Sequence, residues 1–249
     1  MTYINKYSWK CLLGKLSKNV TEHNGLYLWE VGKRKHFCTD RLLNSTDLNI
    51  LSSETNFHYL SEENYLILKE KFKIDKAKNI ATTIDLTQLS ISGNKNKSLR
   101  HSINRGKSYN LTIENNFRKI EDVKTMINEW SNVLAVKYFR DNSGKNYHYF
   151  ANNFHQDCIN VFLYGGDNLV AFGGASPPDT NGNSAYILGK ALCHLHPGLS
   201  EFADFVLYQK CLAAGVKKID LGQTTGGMIF YKNKFPGADT YSYYNGKIL

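Results

Sequence analysis

Two histidines, His194 and His196, stand two residues apart in a loop that also holds Cys193, Pro197 and Gly198. Imidazoles titrate near neutral pH, so either could act as a base. The same pair could ligate a metal, but apart from Cys193 no carboxylate or cysteine cluster completes a set, and no metal is expected. Gly198, Leu199 and Ser200 open a helix, and a small-residue helix start suits an anion. Glu201 and Asp204 follow on that helix, where a carboxylate favours the dipole, so capping is the preferred role for both. Asp220 ends a short strand. Tyr231, Lys232 and Lys234 share a short helical stretch. A phenol with a pKa of about 10 stays protonated at neutral pH and can donate. The two lysines could meet a phosphate or a carboxylate, or lie on a solvated face. Arg140 could hold a substrate carboxylate or pair with Asp141.

The charge is unevenly placed. The 249 residues carry 31 Lys+Arg against 22 Asp+Glu, a net +9. Residues 69–107 alone hold ten basic and three acidic side chains, whereas residues 151–249 hold seven of each. Lys95, Lys97, Arg100, Arg105 and Lys107 surround one helix, and Arg100, Asn104 and Lys107 share a face of it. Such a patch suits tRNA or an anionic surface. Aromatic interleaving is poor there, so base stacking is not indicated, and a solvated lysine-rich face is the competing explanation.

Composition excludes several classes. Hydrophobic content of 42% with 13% aromatics is too rich for a disordered chain. No apolar run approaches the roughly 20 residues of a membrane span, and no small-residue cleavage site follows the first fifteen residues. Five scattered cysteines without a C-x-x-C pair read as reduced thiols, and a cytoplasmic location is expected. No G-x-G-x-x-G or G-x-x-x-x-G-K-[ST] appears, so no dinucleotide or P-loop fold is indicated.

The elements that must position these residues follow from periodicity. Residues 25–31 read as a strand, 63–72 as a helix capped by Ser61, 81–86 as a strand and 93–97 as a basic loop. A helix begins at Ser98, a strand covers 111–114, and 121–137 forms an amphipathic helix with Val123, Met126, Ile127 and Trp130 on one stripe. Strands at 159–164, 169–175 and 184–191 precede a helix over 199–214. A strand at 217–221, a short helix at 226–234 and a strand at 240–244 before an Asn245-Gly246 turn complete the order. This predicts an α/β (α+β) chain with a mixed, mostly antiparallel sheet and flanking helices, the C-terminal order having one central crossover.

That order is similar to the GNAT acyltransferase fold. The run from Ile229 through Tyr231-Lys232 to Phe235-Pro236-Gly237 looks like the family's final helix motif. The run from Gly215 to Gly222 resembles the preceding strand in the FemAB/BioF2-like branch, and Leu99 to Lys107 resembles the basic helix that opens its catalytic domain. FemAB-like enzymes and their DUF2156 relatives carry two GNAT-like units in tandem. The resemblance therefore implies a reduced unit over residues 1–97 and a catalytic GNAT-like unit over residues 98–249. It implies transfer of an acyl or aminoacyl group from acyl-CoA or aminoacyl-tRNA to a small amine, peptide or lipid acceptor, with no tightly bound cofactor. Tyr231 matches the family's general acid. Asp220 and His196 are candidates for amine binding or base work. Gly198, Leu199, Ser200 and Lys232 would meet the donor, and Arg100, Arg105, Lys107 and Arg140 an anionic group. The usual Arg/Gln-x-x-Gly-x-Gly/Ala donor loop is absent, and Pro197 removes one N–H donor. The alternative is a non-catalytic module that binds tRNA or an anionic surface through residues 69–107.

Overall fold

The computed structural model describes residues 20–133, 158–192, 194–224 and 226–249. Chain order runs β1 (Val20–His23), β2 (Leu26–Val31), β3 (Arg34–Thr39), α1 (Ser45–Ile50), β4 (Asn56–Leu60), α2 (Glu62–Lys71) and β5 (Ile74–Asp85). There follow α3 (Lys97–Lys107), β6 (Thr112–Glu114), α4 (Ile120–Asn132), β7 (Ile159–Gly165), β8 (Asn168–Ala175) and β9 (Asn183–Ala191). The chain closes with α5 (Leu199–Ala213), β10 (Lys218–Gln223), α6 (Gly227–Lys232) and β11 (Ala238–Ile248). The eleven strands form one sheet in the order β1-β2-β3-β4-β11-β5-β10-β9-β8-β7-β6.

The element order repeats. Three antiparallel strands, a helix, a parallel strand, a helix and a long final strand describe β1 to β5 and again β7 to β11. Among the described residues there are thus two parallel pairs: β9–β10, the one crossover expected in the C-terminal half, and β3–β4, which repeats it in the N-terminal half. The first crossover uses α1, six residues long, too short to carry a periodic signal. The final strands are exchanged: β5 lies between β10 and β11, and β11 lies between β4 and β5. A division after residue 97 therefore falls just past a strand flanked on both sides by strands of the second half.

β5 and β11 also correct the sequence reading. β5 runs from Ile74, well before the expected 81–86, because its charged first half is held on aromatic rings. Lys76 lies 4.3 Å from the Tyr65 ring centroid and 5.3 Å from that of Tyr244. Asn245 and Gly246 do not turn; they continue β11 opposite Ala77 and Lys76. Gly246 is needed for closeness, because a Cβ there would strike the Asp75 carbonyl and the Phe57 ring. The helix expected from Ser98 starts at Lys97, with Asn96 in the cap position.

Strand alternation builds two cores on opposite faces of the second half. Val161 and Leu163 of β7 join Leu99 and Ile103 of α3 and Phe202, Val206 and Leu207 of α5. Phe162 and Tyr164 point the other way, onto Val123, Met126 and Ile127 of α4. A third core packs α1 and α2 against Phe37, Phe57, Leu60 and Tyr244. Helices α3 and α5 approach closely at Gly106 and Gly198. A Cβ at Gly106 would lie 2.4 Å from Phe202 Cβ, and one at Gly198 would lie 2.4 Å from the Ser102 carbonyl oxygen.

Candidate active site

The parallel pair β9–β10 holds together over three residues only, Asn183 to Ala185 opposite Lys218 to Asp220. Beyond them β9 stays with β8 as far as Ala191, and β10 stays with β5 as far as Gln223. The strands therefore part toward their carboxyl ends, and α5 and α6 begin beside the opening.

Three side chains from three elements meet there. Tyr231 of α6 donates its hydroxyl to Asp204 Oδ2 at 2.7 Å, and Tyr186 of β9 donates to Asp204 Oδ1 at 3.1 Å. Each oxygen of one carboxylate thus accepts from one phenol. Burial and the adjacent Asp204 charge hold the Tyr231 phenol well above its ordinary range. Phe235 closes one side of the Tyr231 ring, edge to face at 6.2 Å. Asp204 lies in the second turn of α5, past the reach of a cap. Nothing in the spacing from 204 to 231 reveals the contact, which depends on α5 and α6 starting at the same end of the sheet.

Lys232, expected to meet the donor, turns inward instead. Its ammonium donates to the carbonyls of Leu221, Gly222 and Gln223 at 2.7, 3.2 and 2.9 Å, and to Thr224 Oγ1 at 3.0 Å. It ties α6 to the carboxyl end of β10. Burial lowers its pKa to about 8. Lys234 lies exposed, as expected, and its ammonium also pairs with the Glu201 carboxylate at 3.0 Å. Glu201 is therefore the partner of a lysine as well as a first-turn carboxylate.

Asp220 lies on the opposite face of β10, since its neighbours Ile219 and Leu221 both enter the core beneath α5. It accepts from Tyr241 Oη at 2.5 Å and from the Gly222 N–H at 2.7 Å. Burial pushes its carboxyl upward, and the two hydrogen bonds and Lys232 oppose this. Tyr243 and Tyr59 extend the aromatic surface beyond Tyr241, with ring centroids 4.6 Å apart.

The remaining expected residues spread outward. His196 packs against the Tyr109 ring, edge to face at 5.1 Å, and Tyr109 Oη donates to the Pro197 carbonyl at 3.1 Å. His194 lies 4.0 Å from Glu129. Gly198 caps α5 with φ of 87°, Leu199 is buried and Ser200 half-buried. Arg100 donates to the carbonyls of Ile91 and Gly93 at 2.8 and 2.9 Å, so it orders its own loop. Arg105 and Lys107 are exposed at the end of α3, and Arg140 lies outside the described residues.

The fold has counterparts among solved structures. L-PGS from Bacillus licheniformis superposes with a TM-score of 0.66 at 15% identity, over 90% of this chain and 80% of that one. The C-terminal DUF2156 domain of a putative lysylphosphatidylglycerol synthetase from Agrobacterium fabrum gives 0.62 at 15%, over 96% and 86%. FemX gives 0.55 at 10%, over 97% and 91%. The fold is GNAT-like, of the FemX and DUF2156 kind. No family model matches the sequence, and no curated protein matches it. Within this fold the parting of β9 and β10 is the feature that the helices α5 and α6 flank, and Tyr231 of α6 meets Asp204 of α5 beside it.

Proposed function

We propose that the chain is a GNAT-type transferase that moves an acyl or aminoacyl group from an activated donor to an amine, working where β9 and β10 part. The Tyr231–Asp204 pair beside that opening supports this most directly. Beyond Ala185, β9 has lost β10 as a partner, so backbone N–H groups can polarise a donor carbonyl at the gap. The attacking amine must lose a proton as its nitrogen bonds to the carbonyl carbon. Tyr231 Oη can accept that proton while passing its own to Asp204, and no tyrosinate forms; as the carbonyl carbon's bond to the donor sulfur or oxygen breaks, the proton returns along the same pair to the departing thiolate or tRNA hydroxyl. Tyr186 holds the other carboxylate oxygen and fixes its orientation. Asp220, buried on the far face of β10 and held by Tyr241 and the Gly222 N–H, stands apart from this proton path.

Coenzyme A thioester and aminoacyl-tRNA are the candidate donors. Several cations of residues 69–107 are engaged within the fold: Lys76 and Lys78 over the Tyr244 ring, Lys71 on Asn49, Arg100 on carbonyls. That weakens the case for a wide tRNA-binding patch and for a purely nucleic-acid-binding module. A thermal-shift series with coenzyme A, acetyl-CoA and bulk tRNA tests the reading. Donor at about a hundredfold over Kd stabilises by roughly 2.7 kcal/mol, about 5–10 °C for a chain of this size. No shift with any of the three counts against a transferase.

A further inference from the structure

A cavity of about 510 Å³ lies in the first half, between strands β1 to β3 and the end of α1. Ligand sites commonly have this size. Register puts its wall on one face of the sheet. Thr21 stands opposite Leu28, and Glu30, two residues on, stands opposite Lys35. Phe37, two past Lys35, pairs with Phe57, which places Thr55 on that same face. Ile50 and Leu51 border the cavity from the carboxyl end of α1. Strands β4, β11, β5 and β10 lie between β3 and β9, so this place is separate from the opening that Tyr231 and Asp204 flank.

The lining combines aliphatic groups with one charge of each sign. Leu51 is buried, whereas Ile50 leaves 46% of its surface exposed. Glu30 and Lys35 are exposed, and among the described residues neither side chain has a charged partner. Opposite charges on directly opposed residues lie close enough to pair, yet these two form no ion pair with each other. A molecule with an ammonium and a carboxylate on one carbon matches both: Glu30 takes the ammonium and Lys35 the carboxylate. An apolar side chain on that carbon covers Leu28, Ile50 and Leu51. A simple cation or anion would leave one of the two charges unmatched. We propose that this cavity binds a free α-amino acid with an apolar side chain. The site does not depend on the transferase reading.

Saturation-transfer NMR titrations of the full chain test this with L-leucine, with leucinamide, which lacks the carboxylate, and with N-acetyl-leucine, which lacks the ammonium. Leucine should bind with a Kd on the order of 1 mM, and each analogue roughly fivefold more weakly. Glycine, without the apolar side chain, should bind about tenfold more weakly than leucine. Glu30→Gln should remove the preference for leucine over N-acetyl-leucine, and Lys35→Gln the preference over leucinamide. Both residues are exposed, so neither change should unfold the chain. Tyr231→Phe should bind leucine as the native chain does. No saturation transfer to leucine at about 10 mM, tenfold above that Kd, overturns the proposal. So does equal binding of leucine and both analogues, or an unchanged preference in both charge variants. Loss of leucine binding in Tyr231→Phe overturns it too, since the ligand would then sit at the transferase opening. A failed transferase reading leaves all of these outcomes as they are.

Discussion

At the scale of single residues, Asp204 accepts one phenol on each carboxylate oxygen. Tyr231 was legible because it sits in a recognisable helix motif, and the structure puts it beside the opening. Asp204 was visible only as a helical carboxylate, since its partners come from β9 and α6. Lys232 shows the opposite limit: its type suggested a phosphate, but burial and four acceptors make it a clamp on β10. If Tyr231 relays a proton to Asp204, removing either link should cost the same step. Tyr231→Phe and Asp204→Asn should each lower kcat about 10²-fold, with KM for the donor little changed. The double variant should be no worse than either single, because both act on one proton. Additive losses would separate the two residues and break the relay.

At the scale of elements, β2, β3 and β4 show what hydrophobic patterning leaves out. Trp29, His36 and His58, one from each strand, stack together, with His36 Nδ1 and His58 Nε2 3.0 Å apart. Alternation does not reveal this, since histidine scores as polar wherever it lies. Burial lowers both imidazoles, His58 to about 4, and His36 is lowered further by Arg34. His58 is therefore neutral in the fold near pH 6, where the unfolded chain, with an ordinary imidazole pKa of about 6.5, takes up protons. The unfolded state binds more protons across that window, so stability rises with pH through it and is lost as pH falls from about 6.5 toward 4. The slope approaches about 1.4 kcal/mol per pH unit for each unmatched proton. Urea midpoints between those limits should drop with acid in the native chain and drop less in His58→Gln. Parallel slopes would place the acid sensitivity elsewhere.

At the scale of the whole molecule, the sequence showed two halves and a charged join, and the fold shows why that join is charged yet structural. The basic run enters β5, which no hydrophobic alternation marks in its first half and which the second half cannot do without. β5 fills the place between β10 and β11, and β11 pairs with it along its entire length. Ile84 and Leu86 enter the core shared with α3 and α5. A chain of residues 98–249 alone would expose the edges of β10 and β11 and leave that core without Ile84 and Leu86 and without Leu89 and Ile91, which pack against it. Such open edges invite association rather than folding. Expressed alone, residues 98–249 should give no cooperative thermal transition and should self-associate on size exclusion. Co-expression with residues 1–97 should restore one transition at a single midpoint, because the exchanged strands make the sheet continuous. A monomeric, cooperatively melting 98–249 fragment would show that β5 is an accessory to the second half and not part of its core.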